Sequence, residues 1–115
     1  MSRIVKHFNF LSCLAESQTA SKRTILINWA SDKHIRTICE IALNIRKGTL
    51  PLPENIVKKL AYHRKILRFL SKKKGVNLDQ KRNILKKSAG FIKIFPLILE
   101  AVKTHLPELA HSSCI

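Results

Sequence analysis

The side chains most able to do chemistry in this chain are its cations. Lys58, Lys59, Arg64, Lys65, Arg68, Lys72, Lys73, Lys74, Lys81, Arg82, Lys86 and Lys87 all fall within residues 58–87, where Asp79 is the single acid. That stretch carries eleven of the fifteen formal positive charges of the chain, so the field is local and implies a binding face. Ammonium and guanidinium groups at this density neutralise polyanions, above all the phosphates of nucleic acid, with an anionic membrane surface as the second partner class. Lys58, Lys65, Arg68 and Lys72 follow one another by 7, 3 and 4 residues. This spacing projects them from one side of a helix, with Arg64 one turn before Arg68. Like charges so placed cost an isolated helix about 0.2–0.5 kcal/mol per pair, a repulsion that phosphates would relieve. Lys73 and Lys74 continue the series into a turn, and Lys81, Arg82 and Lys86 extend it onto the next helix.

Base-specific readout is less well provided for. Recognition helices offer Asn, Gln or Arg to base edges, and here only Gln80, Arg82 and Asn83 form such a trio, after a turn that imitates a helix-turn-helix. Backbone binding without sequence preference asks less of these residues. Catalytic chemistry has still fewer carriers: no glycine-rich phosphate loop, no His-x-x-x-His, no paired carboxylates on one face, and no Ser or Cys with a local activating motif. The five histidines, at 7, 34, 63, 105 and 111, are scattered. Cys13, Cys39 and Cys114 are odd in number and form no Cys-x-x-Cys pair, which predicts reduced thiols in an intracellular protein. The expectation is a protein that is not an enzyme and uses no metal or cofactor.

These cations must be positioned by helices. In 115 residues the chain has 45% hydrophobic residues but only 3 Gly and 4 Pro. It is too apolar for a disordered basic tail and too poor in turn residues for a many-stranded sheet. The fold class expected is all-α, one compact domain of five or six helices over residues 1–106, with residues 107–115 a frayed tail. Residues 5–16 space Val5, Phe8, Leu11 and Ala15 as one amphipathic helix. Residues 22–30 are too short for their period to separate helix from strand, and the neighbours argue for helix, with Trp29 as a core anchor. Ser31 and Asp32 begin, and Arg46, Lys47 and Gly48 end, the clearest helix, whose apolar face is Ile35, Ile38, Cys39, Ala42 and Leu43. Pro51 and Pro53 make an extended connector. Residues 54–72 then read as one long helix with Ile56, Leu60, His63, Leu67 and Leu70 on its seam. It should pack antiparallel to residues 31–47. Asn77 caps a helix over 78–87, and residues 91–105 form a last apolar segment that Pro96 must kink or divide. The predicted core is Ile35, Ile38, Leu43, Leu60, Leu67, Leu70, Phe91 and Ile98. No run approaches the ~20 apolar residues of a membrane span, and residues 1–16 read as an ordinary first helix in preference to a secretory or mitochondrial leader.

The spaced residues Ile38-Cys39-Glu40-Ile41-Ala42-Leu43-Asn44-Ile45, Gly48, His63-Arg64, Leu67-Arg68-Phe69-Leu70, Lys81-Arg82, Leu85 and Gly90-Phe91 carry a further reading. Over about residues 20–100 the chain resembles a family of small basic proteins encoded by Maverick/Polinton-type, adintovirus-like DNA elements of invertebrates. It departs from that family in having Ala89-Gly90 where a glycine pair is usual. The family brings no enzymatic activity with it. The resemblance implies a basic protein that condenses DNA or sits in a virion core, placed in a nucleus or a virus-like particle.

Two functions are therefore carried forward. The first is non-enzymatic binding of a nucleic-acid backbone, DNA favoured, through Lys58, Arg64, Lys65, Arg68, Lys72, Lys73, Lys74, Lys81, Arg82 and Lys86. The second is a helical scaffold or protein-interaction subunit with an acidic partner, self-associating through the apolar residues 91–102.

Overall fold

Short polar side chains decide where the helices start. In the computed structural model, which describes the backbone of residues 2–17 and 19–105 and the side chains of residues 3–17 and 19–104, Thr19 Oγ1 accepts from the Lys22 N–H at 3.1 Å. Ser31 and His34 cap each other reciprocally at 3.2 and 3.4 Å. Asn77 and Gln80 do the same at 2.8 and 2.9 Å. Each satisfies backbone N–H groups that a first helical turn leaves without partners. At the other end of the central helix Gly48 takes φ 72°, and the N–H groups of Gly48 and Thr49 return to the carbonyls of Ile45 and Asn44. That left-handed geometry suits glycine because it has no Cβ to clash.

The helices so delimited are α1 (Ser2–Lys6), α2 (Phe8–Glu16), α3 (Ala20–Trp29), α4 (Asp32–Lys47), α5 (Glu54–Leu60), a 3-10 turn (Ala61–His63), α6 (Arg64–Ser71), α7 (Leu78–Lys87) and α8 (Ala89–His105). The all-helical, compact single globule expected from composition is present, with no strand among the described residues. The count of five or six helices is too low, because two expected helices are each interrupted. His7 separates α1 from α2, with its Nδ1 2.8 Å from Thr37 Oγ1 on α4. The expected 54–72 helix tightens at Ala61–His63, where its buried seam passes from one partner to another: α5 packs on α8 and α6 on α4.

Ile35, Ile38, Ile41 and Ala42 bury α4 completely along one side. α4 packs most extensively against α6, α2 lies on α8, and α3 on α7. Of the predicted core, Ile35, Ile38, Leu60, Leu67, Leu70, Phe91 and Ile98 are buried, whereas Leu43 is half-buried and lines a cleft. Trp29 is a clear departure. It is 85% exposed, because the buried stripe of α3 runs through Arg23, Ile27 and Ala30 and leaves Ile25 and Trp29, one turn apart, on the opposite side.

α8 carries a second correction. Pro96 is exposed and does not divide the helix, which stays continuous from Ala89 to His105. Phe91, Ile92, Ile94, Phe95, Ile98, Leu99 and Val102 turn inward and are buried within the chain. Most of the apolar surface proposed for self-association through residues 91–102 is thereby packed in the core, with Leu97 left exposed. Of the three cysteines expected as reduced thiols, Cys39 is free, and Cys114 lies outside the described residues. The expected tail, 107–115, lies outside the described residues.

Candidate nucleic-acid interface

The side of α4 opposite its buried isoleucines carries Lys33, Arg36, Glu40, Leu43 and Lys47, spaced 3, 4, 3 and 4 residues apart. Helical geometry places these on one outer stripe. Two recesses lie along that stripe, and a third lies beside Ile45 and Arg46 near the end of α4. The first, about 370 Å³, is lined by Arg3, Lys6, His7, Lys33 and Arg36. The second, about 640 Å³, is lined among others by Arg3, Arg36, Glu40, Lys72, Lys73 and Lys81. The third, about 340 Å³, sets Arg46, Arg64 and Arg68 over Ile45, Val57, Leu60, Ala61 and Leu67.

The recesses are linked. The first two share Arg3 and Arg36. Arg46 joins the third to the second, since its Nη1 donates to Ser71 Oγ at 2.8 Å and Ser71 lines the second. Together the three mark a basic track along α4 and α6, the α4–α6 trough, in which the Arg46–Ser71 pair stands between the second and third recesses. From Lys33 to Arg46 the trough follows about 20 Å of helix, at 1.5 Å per residue, comparable to the rise of about six base pairs at 3.4 Å each. The order of the lining residues also shows that α6 runs antiparallel to α4: Arg64 and Arg68 meet Arg46, while Leu70, Lys72 and Lys73 meet Arg36 and Glu40.

The ten cations singled out in the sequence divide into groups. Arg64 and Arg68 enter the third recess, and Lys72 and Lys73 the second. Lys58, Lys65 and Lys74 are exposed but line none of the three. Lys58 lies 3.6 Å from Glu54, with both side chains well exposed, an arrangement of small energetic weight. Lys86 is half-buried. Lys81 is 8% exposed and its Nζ donates to the Lys72 carbonyl.

Arg82 is engaged within the fold. Its Nη1 donates to the carbonyls of Ile27 and Ala30 at 2.6 and 2.7 Å, and its Nη2 to Asp32 Oδ1 at 3.1 Å. It joins α7 to the α3–α4 junction, where three of its five N–H donors are used. Gln80 is likewise engaged in its capping box, so two of the trio read as a base-reading set take part in local structure, while Asn83 is exposed.

Arg3, Lys6, Lys33, Arg36 and Arg46 escaped the sequence reading. The signal that finds them is the polar stripe of α4 and the i, i+3 pair Arg3 and Lys6. Their proximity to α6 is set by packing alone. This cationic setting, after the larger effect of burial, holds the His7 imidazole below its ordinary pKa, with Lys6, Arg3 and Lys33 all contributing. His34 is lowered as well, by burial first and then by His7, whose ring meets it edge-on at 4.7 Å. Thr37 donates its hydroxyl to the Lys33 carbonyl at 2.9 Å, so the His7 Nδ1 contact requires the ring to donate. Burial pushes the Cys39 thiol up, against the opposing pull of Lys81, which makes it a poor nucleophile. Among the described residues no three His, Cys, Asp or Glu side chains gather where they could hold a metal ion. No helix among them is long and apolar enough to cross a membrane. The chain matches no protein-family model, no curated protein and no solved structure.

Proposed function

We propose that this protein is a non-enzymatic nucleic-acid-binding protein that engages the phosphate backbone, DNA favoured, largely without regard to sequence. The observation that carries this reading is the α4–α6 trough. Ten cations, Arg3, Lys6, Lys33, Arg36, Arg46, Arg64, Arg68, Lys72, Lys73 and Lys81, line it with one carboxylate, Glu40, which is itself 3.9 Å from Arg3. Guanidinium groups predominate in the third recess, where their planar forks suit phosphate oxygens. The engagement of Arg82 and Gln80 in local structure, which leaves Asn83 as the exposed member of that trio, favours binding by charge and shape. The resemblance to basic proteins of DNA elements supports DNA condensation or a virion-core role, in a nucleus or a virus-like particle.

Salt dependence tests the proposal. Binding of the full chain to arbitrary duplex DNA should fall linearly in log–log terms as salt rises, with a slope of about −0.9 per phosphate contact. Four to seven contacts correspond to a loss on the order of a hundredfold or more between about 50 and 200 mM salt. No measurable binding at about 50 mM would sink the proposal. The second reading, a protein-interaction subunit, finds support in Ile25 and Trp29, exposed one turn apart on α3. Sedimentation with and without nuclease separates the two, since an assembly indifferent to nuclease belongs to the second.

A further inference from the structure

The middle recess differs in kind from its neighbours. At about 640 Å³ it has the size of a small-molecule site, about 300–1,000 Å³, whereas the recesses on either side measure about 370 and 340 Å³. One side of it is apolar, with Leu43, Leu70, Val76 and Leu78. Lys81, a residue only 8% exposed, lines it. Its one hydrogen bond among the described residues goes to the Lys72 carbonyl, and no carboxylate pairs with it there. An ammonium has three donors, so two remain for an anion. A buried charge without a counterion is costly, and an incoming anion removes that cost.

Arg3, Arg36, Lys72 and Lys73 line the same space, opposed by the single carboxylate of Glu40, which lies 3.9 Å from Arg3, and the positive end of the α7 dipole adds to the cations at Asn77 and Leu78. That is more positive charge than one phosphodiester requires. A phosphomonoester carries about −1.5 to −2 at pH 7, roughly twice the charge of a diester. We infer that the recess beside Lys81 binds a phosphomonoester carried on a nucleoside, with its phosphate toward Lys81, Arg36 and Lys73 and its sugar and base against Leu43, Val76 and Leu78. The inference rests on the proposed function only in naming nucleic acid as one carrier. The same group occurs at the 5′ end of a strand and on a free mononucleotide.

Cys39 lines this recess and is a free, half-buried thiol, so its slow alkylation by iodoacetamide, driven at alkaline pH where the thiolate forms and followed by the mass of the Cys39 peptide, reports occupancy of this space. Binding of the full chain to oligonucleotides of one sequence, with a 5′-phosphate or a 5′-hydroxyl, gives the second measurement. The 5′-phosphorylated strand should bind about tenfold tighter, as charge-assisted hydrogen bonds predict, and should slow alkylation of Cys39. The Lys81→Met variant should lose the preference. Should that variant not fold, Arg36→Gln together with Lys73→Gln at the mouth should weaken the preference while leaving the far-ultraviolet circular dichroism unchanged. Protection of Cys39 by dAMP alone identifies the free nucleotide as a sufficient ligand, and protection by the phosphorylated strand but not by dAMP identifies the strand end.

Equal affinity for the two strands, with no protection of Cys39 by either strand or by dAMP, overturns the inference. Equal protection by inorganic phosphate and by dAMP overturns the nucleotide assignment. Covalently closed circular DNA separates this failure from that of the proposed function. A steep salt slope on circles without any 5′-phosphate preference retains the trough and removes the nucleotide site. Protection by dAMP without binding to circles does the reverse.

Discussion

Arg82 on α7 reaches Asp32, the first residue of α4, at 3.1 Å, while its other terminal nitrogen donates to the last carbonyls of the α3 segment, Ile27 and Ala30. The Arg82 side chain is 15% exposed and Asp32 67% exposed, so the carbonyl bonds matter more than the ion pair. Arg82→Ala should cost about 2–4 kcal/mol, through two charge-assisted bonds and the Ala30 carbonyl left unpaired, the Ile27 carbonyl keeping its bond from the Ala30 N–H. Urea denaturation measures this. The salt slope of DNA binding should stay where it was. A large change in slope with unchanged stability would return Arg82 to the binding face.

The trough predicts which cations matter among many. Arg36→Gln, Arg68→Gln and Lys72→Gln combined should flatten the log–log slope by about 2.7 units, at −0.9 for each lost contact. Lys58→Gln, Lys65→Gln and Lys74→Gln combined remove the same charge from outside the three recesses. That second triple variant should change the slope by less than about one unit. Equal effects would mean that net charge alone governs binding.

Phe95 is fully buried, with its ring centroid 6.0 Å from that of Phe91. Phe95→Ala should destabilise the fold by about 3–5 kcal/mol, since a large aromatic removed from a packed core leaves a cavity. The loss should be independent of protein concentration, because this side chain packs within its own chain. A melting temperature that rises with concentration would place α8 in an intermolecular contact instead.

The lowered pKa of His7 fixes the sign of a pH dependence. The folded protein binds the His7 proton less readily than the unfolded chain, whose ordinary value is 6.5, so stability rises with pH wherever the unfolded state holds more protons. The contribution is fully present above about pH 6.5 and is lost as pH falls from there through the lowered folded value. His34 acts in the same direction. Denaturation midpoints for the parent and for His7→Gln, measured from about pH 7.5 to 5, should converge as the pH falls. A gap that widens toward acid would contradict the assignment.

Local chemistry made much of this protein legible in its sequence. Ser31, Asp32 and Gly48 delimit α4 because caps and dipole charges act within one turn, and Asn77 starts α7 for the same reason. The spacing of Ile35, Ile38, Leu60, Leu67 and Leu70 identified buried faces because amphipathic periodicity needs only the helix itself. The concentration of cations over residues 58–87 is likewise a property of the sequence alone.

Which of those cations share a space was decided by tertiary packing. Lys81 and Arg82 are adjacent members of one basic helix, indistinguishable by spacing from Lys86. Packing of α7 on α3 and α4 turned Arg82 into a brace and placed Lys81 in a recess. Arg36 and Lys72 stand 36 residues apart, yet line one cleft because α6 returns along α4. Trp29 and α8 show the same limit: a hydrophobic side chain states a preference for burial, but the partner surface that can satisfy it comes from elsewhere in the chain. α8 found that surface on α2 and α5, and Trp29, on the outer side of α3, did not.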